Sequence, residues 1–287
     1  MSGQPFFEGW YFKHQQGEHT VAFIPAHHRD RQGVYTASLQ IVTENRAEYV
    51  EIPVRDFRMK QKPFRVRCGD NVFSPSGCRI DCPFGGARLT GTLRYGPWTP
   101  PRGDIMGPFR FVPRMQCRHS VLSMAHSVEG TLTLGGQTLD FRQGQGYAEG
   151  DRGTSFPSRY VWTQGAFPRG SAMLSIADIP FCGRQFTGCI GFVWMDGKEL
   201  RLATYRGLRI LEAGPQGAVV RQGGWELRVE LLEARPVALR APQQGDMGRI
   251  IRESAACRVR YCLLRKGTPV LDTVCEQAGF EEDWQLP

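Results

Sequence analysis

Short runs of apolar and β-branched residues, cut at close intervals by Gly, Pro and Asn/Asp, recur along the whole chain, and almost no segment sustains a helical period. That rhythm restricts the chain to antiparallel sheet, because consecutive strands joined by tight turns pair as hairpins. In the first third it predicts strands over 9–14, 20–25, 35–43, 48–54, 64–68, 78–82 and 87–95. Further strands are expected over 119–126, 128–134, 137–141, 160–166, 171–177, 187–195, 199–206, 225–232, 256–265 and 269–275. Gly135-Gly136, Asp196-Gly197, Gly223-Gly224 and Lys266-Gly267 mark hairpin turns between several of them.

The stretch GPWTPPRGDIMG at 96–107 holds three prolines and three glycines, which suit neither a central strand nor a helix. It predicts a domain connection: a first β domain over 1–97, a linker over 98–109, and a second β domain over 110–287. The 287 residues suffice for two cores of ordinary size. Leu89-Thr90-Gly91-Thr92-Leu93 and Val128-Glu129-Gly130-Thr131-Leu132 echo one another across that break. Many antiparallel strands without helices favour barrels or curved sandwiches, since closure removes exposed edges and a barrel interior can hold a ligand.

The formal charge of +8 raises the question of a nucleic-acid face. The arginines answer it, because they are spread along the chain and alternate with apolar residues, as in Arg65-Val66-Arg67 and Arg258-Val259-Arg260. Such alternation is the outer face of a half-buried strand, so no nucleic-acid partner is expected. Weak peripheral contact with an anionic membrane face fits the same charge. The N-terminus has no basic segment leading into an apolar one, and no apolar run reaches membrane-spanning length; the expectation is a cytoplasmic protein with reduced cysteines. Cys117 and His119 share a strand face, a spacing that packing explains far more often than zinc ligation does, and no metal site is predicted.

Residues 144–164 are unusual for the connecting loop that their position suggests, since Tyr147, Glu149, Asp151, Arg152, Tyr160, Trp162 and Gln164 concentrate there. Glu149 and Asp151 at i, i+2 share a face in an extended chain, where each raises the other's proton affinity. One of them could serve as a neutral acid. The same residues also read as structural, with Asp151 capping a turn and Glu149 paired with an arginine; Arg152 beside Asp151 favours an ionised carboxylate there. Phe6-Phe7-Glu8-Gly9-Trp10-Tyr11-Phe12 reads either as a first strand whose tryptophan closes a barrel base or as part of a ligand wall. His119 and His126 flank one predicted strand, and Glu253-Ser254 follows a loop before a late one.

Taken together, FEGWYFK at 7–13, IMGPF at 105–109, the two histidines around Ser123-Met124, GYAEGDRGTSFPSRYVWTQ at 146–164 and Arg252-Glu253-Ser254 resemble the tocopherol cyclase family, in order and at similar separations. That family is distantly similar to the carotenoid 1,2-hydratases. The resemblance implies two antiparallel lipocalin-like barrels or curved sandwiches packed together. It also implies cofactor-free, acid-catalysed ring closure of a prenylated phenol or quinol to a chromanol. Glu149 would be the acid, Tyr147 its orienting partner, Asp151 the second choice, and His119 a proton relay. Glu8, Trp10, His126, Tyr160, Trp162, Gln164 and Glu253 would bind the apolar ligand. Capture of the same cation by water would make a hydratase, and loss of the chemistry would leave a carrier of isoprenoid lipids.

Overall fold

A computed structural model describes residues 4–113, 115–181 and 183–284, and among them strands predominate, with three short 3-10 turns and no α-helix. Twelve strands form a first antiparallel sheet: β1 (Phe6–Gln16), β2 (His19–Arg29), β3 (Tyr35–Thr43), β4 (Ala47–Ile52), β5 (Phe57–Gln61), β6 (Phe64–Cys68), β7 (Asn71–Ser74), β8 (Gly77–Phe84), β9 (Ala87–Tyr95), β10 (Cys117–Leu134), β11 (Gln137–Asp140) and β12 (Gly144–Gly153). The second antiparallel sheet has ten: β13 (Tyr160–Phe167), β14 (Gly170–Phe181), β15 (Arg184–Met195), β16 (Lys198–Ala203), β17 (Arg209–Gly214), β18 (Gly217–Gln222), β19 (Trp225–Glu233), β20 (Val237–Gln243), β21 (Asp246–Arg265) and β22 (Thr268–Asp283). One of the two sheets is nearly closed and barrel-like. This is the lipocalin-like, all-β architecture expected.

The compact units divide the chain elsewhere than at the proline-rich stretch. The first unit comprises 1–101, 117–155 and 239–250, and the second 102–116, 156–238 and 251–287. The reason is pairing. β10 lies between β9 and β12, and β12 closes against β1, so residues 117–153 complete the first sheet and cannot open a second domain. The GYAEGDRG motif thereby belongs to the first unit, on a regular strand and not on a loop. The echoed pentapeptides are neighbours within one sheet: Gly91 lies opposite Leu132, Gly130 opposite Leu93, and Thr92 opposite Thr131.

Each unit has its own core. Trp10, Phe12, Phe23, Leu39, Ile41 and Phe73 lead the first, and Val161, Leu174, Ile176, Val193, Val259 and Tyr261 the second. All four predicted turn dipeptides join paired strands. Asp196-Gly197 and Lys266-Gly267 take positive φ at both residues (51° and 75°, 50° and 85°), the backbone of a two-residue turn whose twist matches its strands.

Candidate active site

On β12 the sequence alternates strictly by size and polarity, and the alternation separates two jobs. Gly146, Ala148 and Gly150 face the core, where large rings lie against the strand: a Cβ on Gly150 would stand 2.9 Å from Trp10 Cδ1, and one on Gly146 2.7 Å from His126 Cδ2. Tyr147, Glu149 and Asp151 point to the opposite face. There the flanking strands add their own residues in register, Tyr11 and Val121 opposite Glu149, and His119 opposite Asp151.

The result is a continuous polar chain. The Tyr147 hydroxyl donates to Glu149 Oε2 at 2.5 Å. His119 Nε2 lies 3.2 Å from the same oxygen, an ionic contact without hydrogen-bond alignment, and His119 Nδ1 is hydrogen-bonded to Asp151 Oδ1 at 3.0 Å. Cys117 Sγ also donates to Asp151 Oδ1, at 3.5 Å. Tyr147 and Glu149 are 2% and 5% exposed, so their interactions are little screened by water.

Burial alone pulls the His119 imidazole toward its neutral form, but the charges of Asp151 and Glu149 on either side outweigh it and hold its pKa well above the ordinary 6.5. The shift favours the protonated ring, held between Glu149 and Asp151. Burial, reinforced by the Glu149 charge, pushes the Tyr147 phenol well above its usual value, so it stays a donor. Burial and Asp151 likewise keep Cys117 a thiol. The arginine beside Asp151 in sequence is not its partner: Arg152 is exposed and alternates to the other face, and His119 supplies the cation instead.

Among the described residues, His119, Glu149 and Asp151 also bring metal-ligating atoms within 4.8 Å of one another. The two imidazole nitrogens face one carboxylate each, so a protonated ring offsets one of the two carboxylate charges.

The other expected ligand-binding residues fall into separate settings. Trp10 and Glu8 lie on the core-facing side of β1. Trp10 packs parallel to His27, with centroids 6.2 Å apart, and Glu8 Oε2 is 3.3 Å from His27 Nε2. His126 also turns to that side. Its Nδ1 bonds Ser123 Oγ at 3.0 Å, and because that hydroxyl donates to the Ala125 carbonyl, Nδ1 carries the proton. Burial and the neighbouring His14 lower the His126 pKa to about 3, so the ring is neutral.

Tyr160, Trp162, Gln164 and Glu253 belong to the second unit. β13 aligns the first three on one face; Trp162 lies opposite Glu281, Glu281 lies opposite Glu253, and the Tyr160 hydroxyl donates to Glu281. This unit thus has its own buried polar face. Its carboxylate Glu281 escapes sequence reading because Glu281-Glu282-Asp283 looks like a solvated acidic run. Tyr11 and Lys13 escape for a related reason: within FEGWYFK, only the strand register separates the residues that face the core from those beside Glu149. Alternation from Trp10 is the one signal that could have found them.

The fold and this chain of buried groups define an all-β, lipocalin-like protein with a proton-holding site on one sheet face. No family model matches the sequence, and no curated protein does. Solved structures share the fold. CghA with Sch210972 aligns with a TM-score of 0.62 at 13% identity over 96% of this chain and 87% of that one. Kievitone hydratase from Nectria haematococca aligns with a TM-score of 0.56 at 14% identity over 98% and 90%.

Proposed function

We propose that the first unit adds an O–H group across the alkene of an apolar, prenylated phenol or quinol, and that the O–H is the ligand's own, so that a chromanol-type ring closes. The observation that carries this reading is the Tyr147–Glu149–His119–Asp151 chain, which stores a proton at neutral pH in a buried setting. In the forward step the proton passes from His119 through Glu149 to the less substituted alkene carbon, leaving a tertiary cation. The rings of Tyr147 and Tyr11 are the aromatic groups nearest Glu149 in the register, suited to face that cation. The phenol oxygen captures it, and the phenolic proton returns to the Glu149–His119 pair. Mass is unchanged, and no redox partner is needed. Burial of the chain disfavours capture by bulk water.

A hydratase is the second reading, favoured by the fold shared with kievitone hydratase. Purified protein incubated with a geranylgeranylated hydroquinone and followed by mass spectrometry separates the possibilities. An isomer of equal mass supports ring closure, and a gain of one water supports hydration. Glu149→Gln should abolish either product while ligand binding persists. Retention of unchanged ligand by the wild type, equal in Glu149→Gln, would mark a carrier and overturn the catalytic reading.

A further inference from the structure

Lys13 stands in the middle of β1 and is 1% exposed, among the largest fully buried side chains of the protein. A lysine at a sheet surface ordinarily runs its stem over apolar neighbours and returns its ammonium to water. This one does not. Burying an ammonium costs several kcal/mol before compensation, and a methionine of similar shape would pack at that position without the penalty.

The register shows on which face of the sheet Lys13 stands. Lys13 lies directly opposite Tyr147 on β12 and opposite Ala22 on β2, so it shares the face of Tyr11, Tyr147, Glu149 and Asp151 and is diagonal to Glu149. Phe12 and His14, its neighbours in sequence, take the core side. The charged and titratable groups placed on that face by β1, β12 and β10 are therefore Tyr11, Lys13, Tyr147, Glu149, Asp151 and His119, with Cys117 beside Asp151. Two carboxylic side chains and two basic ones thus share one face. His119 is held between the carboxylates, whereas Lys13 stands beside Tyr147 at the other end of the chain.

We propose that Lys13 is a specificity-determining residue, whose ammonium receives an ionisable oxygen of the ligand, a phenol or enol, and thereby selects substrates that carry one beside the alkene. The inference rests on the proposed reaction and names what that reaction needs at its second step. The oxygen that captures the cation must shed a proton, and a neighbouring ammonium favours the ionised oxygen. An ammonium carries three N–H donors, so it can serve the fold and a ligand oxygen together. Glu149 then receives the released proton and Lys13 holds the oxygen in place.

The test compares binding of geranylated hydroquinone with that of its dimethyl ether, by titration of the whole chain with calorimetric detection. Wild type should prefer the free phenol by about tenfold or more, as loss of a charge-assisted hydrogen bond implies. Lys13→Met should bind both ligands equally, near the affinity of the ether, while Glu149→Gln keeps the preference. Should Lys13→Met fail to fold by circular dichroism, Lys13→Gln is judged by the same ratio. A neutral variant that retains the tenfold preference overturns the proposal. If the preference depends on Lys13 but wild type converts nothing, the oxygen site stands and the reaction falls. If conversion proceeds and the preference ignores Lys13, the reaction stands and this inference falls.

Discussion

Acidification from pH 7 to pH 5 should remove about 2 kcal/mol of stability from the first unit through His14 alone. The imidazole is fully buried, its Nδ1 lies 3.2 Å from the Val21 carbonyl and its Nε2 2.6 Å from the Tyr95 hydroxyl. A carbonyl only accepts, so Nδ1 carries the hydrogen and Nε2 accepts from the tyrosine. Burial, only partly offset by the Val21 carbonyl, lowers its pKa from 6.5 to about 4. At pH 5 nearly every unfolded chain has protonated this histidine and few folded ones have. The unfolded state binds more protons, and stability falls as pH drops below 6.5, levelling only below the folded value near 4. His28, lowered to about 4, and His126, lowered to about 3, act in the same direction. Three such groups approach about 6 kcal/mol, a large part of the roughly 5–15 kcal/mol typical of a folded domain. His119 opposes them: its raised pKa contributes stability that is fully present below 6.5 and lost as pH rises through the folded value. Urea denaturation read by tryptophan emission at pH 7, 6 and 5 measures the sum. His14→Gln keeps a donor for Val21 and an acceptor for Tyr95 but cannot titrate, so its loss between pH 7 and 5 should be smaller than wild type's by about 2 kcal/mol. An identical pH dependence in the two proteins would refute the assignment.

Activity should have an alkaline limb set by His119, falling as pH rises through a value above 6.5; Asp151→Asn removes one raising charge and should move that limb to lower pH in a pH–rate profile. Gly150→Ala would drive a methyl into the Trp10 indole and should cost about 1–3 kcal/mol in chemical denaturation, with Trp10 emission displaced. Tyr160→Phe deletes a hydroxyl that donates to buried Glu281, and should destabilise by about 1–3 kcal/mol, readable as a lower melting temperature.

Fold class was legible because strand alternation and turn chemistry are local. Asp196-Gly197 and Lys266-Gly267 each encode their turn in two residues, and the structure uses both. The division of the chain was not legible, because the pairing of Phe7 with Gly153 is a long-range fact that no local pattern carries. The proline-rich stretch is real punctuation, yet the chain returns after it to complete the first sheet. At the site, i, i+2 spacing correctly put Glu149 and Asp151 on one face, whereas the arrival of His119 between them depended on the register of β10. Lys13 was hidden by its composition, since a lysine in a strand reads as solvated until its burial is known.

The two-faced strand β12 ties chemistry to the folding register. A slip of one residue against β1 would turn Glu149 toward Phe12 and Phe23 and expose glycines where the polar chain should be, so no misregistered molecule can retain a partial site. Because β1 pairs with residues 145–153 far along the chain, the site rests on a long-range contact. Turnover would therefore report on completion of the first sheet itself, and a mutation anywhere along β1 that weakens its register should silence the protein before it unfolds it.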